Sequence, residues 1–365
     1  MDTFLEKWGG VEQRSAKWRA IINVTVGMSE IATLMGKNKY KTRSELVMEK
    51  VRARLGIIND INSPACHWGT IMEDVIKLYI EGYFVSKVVG DSICITSKKY
   101  PGLRCSPDGY LMAATYNPAQ YERYDVEPFL INGRQLYTIH EDMDGIVVDL
   151  ENVNILLEFK CPLSRTPNIL NETYESQVMG GIALSVDEDT DFRITRHALF
   201  VDSLFRKCKL SSLNWTNEYD KTYHNRDYNR HTQTPIACGI IFVYSSAAQT
   251  TPAGQQAPQD FGIGGNFDQV MERIVKHEYR IEVPEPWIRA RGDVIDLSVD
   301  RPGIIGYIPY KLLNTVFTLR EYDEYYIARI WPSILDFLAE VESKILNYVP
   351  VVEAKSQEAI DEYFT

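Results

Sequence analysis

Apolar positions along the chain follow two periods, and the change from one to the other outlines the elements. Trp18, Ile21 and Ile22 recur at helical spacing until Val26-Gly27-Met28-Ser29 interrupts them, so residues 12–35 read as two helical pieces around a glycine turn. Ser29 offers a cap to a short helix, Glu30–Met35, which Gly36 ends. Thr42-Arg43-Ser44-Glu45 has capping-box spacing for a helix running to about Leu55, with Gly56 beyond. Residues 66–81 predict a third helix whose polar stripe is Asp74, Lys77 and Glu81. Glu73 falls at the edge of that stripe beside Ile76 and Ile80, as a boundary residue or as a carboxylate aimed into a site.

Strand patterns are predicted at Tyr83–Val89, Ser92–Thr96, Tyr110–Ala114, Val153–Lys160 and His197–Asp202. Ala237–Ser245 is apolar throughout, as a central strand would be. Glu172–Leu184 predicts a helix with Tyr174 and Gln177 on one face, and Pro332 suits the start of a final helix carrying Ile334, Phe337, Leu338, Val341 and Ile345 as its core stripe. Between these lie three weakly patterned stretches. Residues 115–150 are rich in Asp, Glu, Asn and Tyr and read as an insertion with room for a hairpin. Thr216–Thr234 reads as a surface loop and Thr250–Gly265 as a connector.

Composition narrows the class. With 365 residues, 45% hydrophobic and 24% charged, the chain can bury one large core. No apolar run approaches the ~20 residues of a membrane helix, and residues 1–7 do not resemble a secretory signal. The six cysteines are scattered without close pairs, the usage of a reduced intracellular protein. A net charge of −11 argues against a nucleic-acid binder until its distribution is considered. Residues 36–54 hold Lys37, Lys39, Lys41, Arg43, Lys50, Arg52 and Arg54 against only Glu45 and Glu49, as a solvated helix face or as a stretch that steers a phosphate backbone.

The chemistry gathers at Leu157-Glu158-Phe159-Lys160-Cys161-Pro162. On a strand, Glu158 and Lys160 share a face while Phe159 points away, and Pro162 ends the ladder. An ordinary surface ion pair would look the same. A second fragment, Cys105-Ser106-Pro107-Asp108-Gly109-Tyr110, sets Asp108 in a turn leading into a strand, where it could face Glu158. Two carboxylates with a neighbouring ammonium suit a hard divalent cation and a hydrolytic water.

In order along the chain, Ser29 after Gly27, Trp68-Gly69 with Glu73, Ser106-Pro107-Asp108-Gly109, Glu158-Phe159-Lys160-Cys161-Pro162, and Tyr174 with Gln177 resemble the PD-(D/E)XK nucleases. Within them the set is similar to the phage lambda-type (YqaJ-like) recombinase exonucleases, in the versions carried by large cytoplasmic DNA viruses, over residues 12–200. Gln13-Arg14-Ser15 before Trp18, and Gly181-Ile182-Ala183-Leu184-Ser185 after Gln177, look like that viral branch.

The resemblance implies an α/β (α+β) fold with a central mixed sheet flanked by helices. It would be a single nuclease domain over 1–365: a helical DNA-end-binding part at 1–60, a catalytic core at 61–205 with its insertion at 115–150, and a C-terminal part at 206–365 that completes the core. It implies a Mg²⁺-dependent deoxyribonuclease, with Mn²⁺ able to substitute, acting 5′-to-3′ on duplex ends in viral recombination, repair or replication. Asp108, Glu158 and the Phe159 carbonyl would hold the metal, and Glu73 a second metal or its waters. Lys160 would orient and help deprotonate the attacking water, with Gln177 and Tyr174 lining the cleft. Ser29 and Ser106 match contacts to a terminal 5′ phosphate, and Tyr174 would lie on the DNA side. The arginine expected a few residues past Trp18 is replaced by Ile22, so Arg19 or Arg14 would have to substitute.

Double-stranded DNA ends, a single-strand annealing protein and further copies of the chain are the implied partners, with no membrane, in the host cytoplasm at a viral factory. An endonuclease or flap nuclease on the same core, and an idle DNA-end-binding or host-interaction protein, are the competing readings. An iron–sulfur nuclease would need four clustered cysteines, which the sequence lacks.

Overall fold

Ile155–Lys160 carries apolar side chains on both faces, and the fold is laid down around it. The computed structural model describes residues 2–11, 15–57, 63–84, 86–111, 130–131, 134–135, 137–142, 145–150, 154–168, 170–189, 194, 196–210, 237–246, 258–262, 266–282, 287–288 and 304–353. In the main sheet the strand order is Tyr279–Glu282, Ala237–Ser245, Ile304–Glu321, His197–Lys207, Ile155–Lys160, Gly109–Leu111 and Val88–Val89. Ile155–Lys160 runs parallel to His197–Lys207 and antiparallel to Gly109–Leu111, and the helix Glu172–Glu188 makes the crossover that a parallel pair requires. The sheet is mixed and flanked by helices, as expected.

Alternation along this strand divides the core. Ile155, Leu157 and Phe159 pack with Trp68, Met72, Val75 and Ile76 of the helix Pro64–Phe84 and with Phe267 and Met271 of the helix Asn266–Val275. Leu156 faces the other way, toward Val178 and Ile182 of Glu172–Glu188 and Ile334 and Phe337 of Tyr326–Glu353. Each side chain buried this fully contributes about 1.5–3 kcal/mol. A smaller sheet of Val26–Gly27, Leu103–Cys105 and Ile95–Thr96 carries the chain from the N-terminal helices into the Asp108 turn.

Several elements differ from the sequence pattern. Tyr83 and Phe84 finish the helix Pro64–Phe84 instead of opening a strand, and only Val88–Val89 is extended. The helix stops where Ser86 N–H reaches back to the Glu81 carbonyl, and the Glu81 carboxylate takes the Val88 N–H at 2.9 Å. Pro332 lies inside a helix that begins at Tyr326, because Ile327 and Ile330 extend the buried stripe a turn earlier and outweigh one missing N–H. The start is set by Asp323, whose carboxylate accepts the Tyr325 N–H at 3.0 Å. Ser29 caps nothing: it is exposed in a 3-10 turn, Met28–Glu30, and Glu30 performs the capping by accepting the Gly27 N–H at 2.7 Å.

The Thr42–Glu45 capping box is present, starting the helix Arg43–Arg54. The insertion contains an antiparallel pair, Tyr137–Asp142 with Gly145–Leu150, while residues 112–129 and the polar loop Thr216–Thr234 lie outside the described residues. The basic stretch is not a free solvated face. Lys50 is buried against Glu30 at 2.8 Å, Lys41 pairs with Glu49, and Arg43 and Arg54 pair with Glu340 and Glu342 of the last helix.

Candidate active site

Asp108 and Glu158 meet because two strands end together. Leu157 pairs with Gly109, so the next positions across the ladder are Glu158 and Asp108. There the backbone pairing stops and the side chain continues it: Asp108 Oδ2 accepts the Phe159 N–H at 2.6 Å. Gly109 makes the approach possible. Its φ of 154° lies in the left-handed half of the map, and a Cβ would sit 2.5 Å from Val88 Cγ1. At the other end of the strand, Asn154 takes φ 74°, which asparagine tolerates better than most residues.

Alternation then places Glu158 and Lys160 on one face, where the Lys160 ammonium donates to Glu158 Oε1. Gln177, arriving on the crossover helix, donates its amide to the same oxygen. Tyr174, one turn earlier, lies with its ring 5.4 Å from Lys160 Nζ and stacks on Phe200. Asn171 starts this helix by accepting the Thr173 and Tyr174 N–H groups, which fixes where both residues point.

The electrostatics are those of a crowded anionic site. Burial, reinforced by the charge of Asp108 and then Glu73, pushes the Glu158 carboxyl up to about 8 against the opposing pull of Lys160. Asp108 is also raised by burial, with Lys160 and the Phe159 N–H opposing it. Lys160 moves up as well, since the two carboxylates outweigh its own burial. Glu73 is therefore within electrostatic reach of Glu158. Among the described residues no three His, Cys, Asp or Glu side chains are arranged to hold a metal, so Glu73 is not part of a three-carboxylate cluster.

A hard cation fits the donors that remain. Asp108 and Glu158 each commit one oxygen to the hydrogen bonds above, and the Phe159 carbonyl follows Glu158 on the same strand. Two carboxylates with water and phosphate oxygens completing the shell are the usual Mg²⁺ environment.

The residues proposed for the 5′ phosphate are spread wider. Ser29 is exposed; Ser106 Oγ is buried without a hydrogen-bond partner; Arg19 is exposed on the helix Ala16–Val24; Arg14 lies outside the described residues. A residue that sequence reasoning missed stands between them. Arg104, buried on Leu103–Cys105, lays its guanidinium on Gly27, where a Cβ would come within 2.8 Å of both terminal nitrogens. Glu30 is held below the usual carboxylate range because Lys50 and Arg104 outweigh its burial. Asp202 and Arg165 were missed too, although a lone aspartate within the apolar run of His197–Lys207 was a signal.

Comparison with known proteins agrees with this arrangement. Residues 17–185 match the YqaJ-like viral recombinase domain, a segment that holds every candidate site residue except Arg14. A protein of African swine fever virus (strain Badajoz 1971 Vero-adapted) is 29% identical over 320 residues, covering 86% of this chain and 81% of that protein. Its counterpart in the Tick/Malawi/Lil 20-1/1983 isolate of the same virus is 28% identical, with the same shares of both chains covered. A solved alkaline exonuclease from Laribacter hongkongensis aligns over 93% of this chain and 99% of its own at 15% identity, with a TM-score of 0.42. Residues 17–185 are thus similar to the YqaJ-like viral recombinase domain, and the expected resemblance to lambda-type exonucleases of the PD-(D/E)XK superfamily, in their viral versions, holds.

Proposed function

We propose that this chain is a Mg²⁺-dependent DNA exonuclease that resects duplex ends 5′-to-3′ and leaves 3′ single strands for a strand-annealing protein during viral recombination, repair or replication. The observation that carries this reading is the meeting of Asp108, Glu158, Lys160 and Gln177, drawn from separate parts of the chain, at one strand end. The recombinase-domain match supports DNA exonuclease chemistry.

Asp108, Glu158 and the Phe159 carbonyl would hold the divalent cation, which supplies charge neutralisation at the phosphoryl oxygens and an acidified water. Glu158, held by Lys160 and Gln177, keeps one oxygen fixed. Lys160 orients the attacking water. Lys160 would hold that water by a hydrogen bond and, in its neutral amine form, would take a proton from it. Arg104, on Gly27 and two residues from Ser106, is a guanidinium near the Ser29 turn that could, like Arg19, take the place of the arginine Ile22 replaces, if its pairing with Glu30 opens on binding.

The test compares 5′-phosphorylated linear, 5′-hydroxyl linear and covalently closed circular duplexes, end-labelled where possible, with Mg²⁺, Mn²⁺ or chelator. Digestion of the phosphorylated linear duplex alone, lost with chelator and reduced on the order of 10²-fold or more in Lys160→Ala and Asp108→Ala, is the expected result. Equal activity in all three proteins would sink the reading, and cleavage of the circle would replace it with an endonuclease.

A further inference from the structure

Beside the acidic cluster lies a second built arrangement. Asp202 pairs in parallel register with Lys160 on the neighbouring strand, and its side chain is 1% exposed. One oxygen, Oδ2, takes both the Arg165 guanidinium and the Asn168 N–H (3.0 Å), while Oδ1 is buried with no partner. Arg165 also reaches the Thr166 carbonyl at 3.3 Å, yet its side chain stays 34% exposed. Its guanidinium lies 5.7 Å from the Tyr174 ring centre, on the same ring that faces Lys160 at 5.4 Å. Phe200 stacks on the same Tyr174 ring at 5.7 Å.

Asp202 and the Thr166 carbonyl take one nitrogen of the guanidinium and Tyr174 takes a further side-chain hydrogen bond, and the remaining donors of the rigid fork are those an incoming phosphate would meet. Lys160 is occupied with Glu158, whereas Arg165 is turned partly outward at the border of the same site. We propose that Arg165 is a phosphate clamp: it donates to the non-bridging oxygens of a phosphodiester of the cleaved strand, within one linkage of the scissile bond. Asp202 is its positioning residue. This rests on the nuclease reading above and assigns the substrate contact that reading leaves open. A merely structural role, tying the 161–168 segment to the sheet, is the competing account.

A single methylphosphonate, which removes one phosphate charge, is moved linkage by linkage along the cleaved strand near the 5′ end. Rates with Mg²⁺ and affinities by anisotropy with Ca²⁺ are compared for the wild type, Arg165→Ala, Arg165→Lys and Asp202→Asn. The wild type should lose at least tenfold at one linkage beside the cut. Arg165→Ala should lose a similar factor on unmodified DNA, chiefly in kcat, and suffer no further penalty at that linkage. Arg165→Lys should restore only part of it, because an ammonium lacks the fork. Asp202→Asn should behave like Arg165→Ala at that linkage, and where it lowers Tm too far to be assayed, the two Arg165 variants decide.

If Arg165→Ala keeps the wild-type pattern of methylphosphonate penalties, or changes only Tm, the clamp is overturned while the nuclease reading stands. A wild type that binds duplex but cleaves none refutes the nuclease reading and with it the clamp's place beside a scissile bond. A wild type that neither binds nor cleaves overturns both.

Discussion

At the scale of single residues, Glu158 shows how a site can be legible in sequence while its energetics are not. Strand alternation alone predicts that Glu158 and Lys160 share a face, and they do. Nothing in Glu-Phe-Lys says that burial and Asp108 together would raise the glutamate. Arg104 and Arg165 were illegible for a related reason: a lone arginine carries no periodic signal, and what makes these two informative is the half-buried Glu30 and the buried Asp202 they face.

The raised carboxyl has a consequence for stability. A folded-state pKa of about 8 against an unfolded value near 4.5 means the native protein binds more protons between those pH values, so Glu158's contribution falls as pH rises through the window. Metal-free protein should melt a few degrees lower at pH 8 than at pH 6, and Glu158→Gln should flatten that slope. Adding Mg²⁺ should raise Tm more at pH 8 than at pH 6, because the cation needs the ionised carboxylate. Scanning calorimetry at the two pH values checks this, and an equal pH slope in Glu158→Gln would refute it.

At the scale of elements, what was legible had a local cause. The capping box at Thr42, the crossover helix with Tyr174 and Gln177 on one side, and the apolar strand Ala237–Ser245 all stand where residue type and spacing put them. Three failures share the opposite cause. Pro332 is governed by the burial of Ile327 and Ile330 a turn earlier, and Tyr83 lies in a helix that runs on to the hydrogen bonds of Ser86 and Val88 with Glu81; both overrode a good local signal. The longest strand, Ile304–Glu321, went unread because its burial alternates irregularly along a run that changes partners, from Ala237–Ser245 to His197–Lys207. Since the capping box is an isolated local device, its contribution is measurable alone. Thr42→Ala removes both the Glu45 N–H acceptor and one partner of the Glu45 carboxylate, and should cost about 1 kcal/mol. Urea denaturation should show a lower midpoint at unchanged slope, with nuclease activity retained below the transition.

At the scale of the whole molecule, a chain of net charge −11 has to approach a polyanion, and the structure shows how little of its basic segment is free to help. Of the seven cations in residues 36–54, Lys50 is buried on Glu30, Lys37 is paired with Glu172, Lys41 is paired with Glu49, and Arg43 and Arg54 reach across to Glu340 and Glu342. The two arginine links join the N-terminal helices to the last helix, and partly exposed pairs of this kind contribute only about 0–1 kcal/mol each. Their larger effect is on binding. Were all seven cations neutralising phosphates, affinity would fall with salt at a log–log slope of roughly −6. With five of them paired inside the protein, fewer cations meet the phosphates without first breaking an ion pair, and the slope for duplex binding in Ca²⁺ should lie nearer about −3 to −4. Glu340→Gln and Glu342→Gln release Arg43 and Arg54, so the double variant should bind more tightly at low salt, with a slope steeper by up to about 2. Anisotropy titrations between low and moderate salt measure both numbers. A wild-type slope near −6, unchanged in the double variant, would mean that DNA breaks these pairs on binding and that the ion pairs do not govern how the acidic molecule meets its substrate.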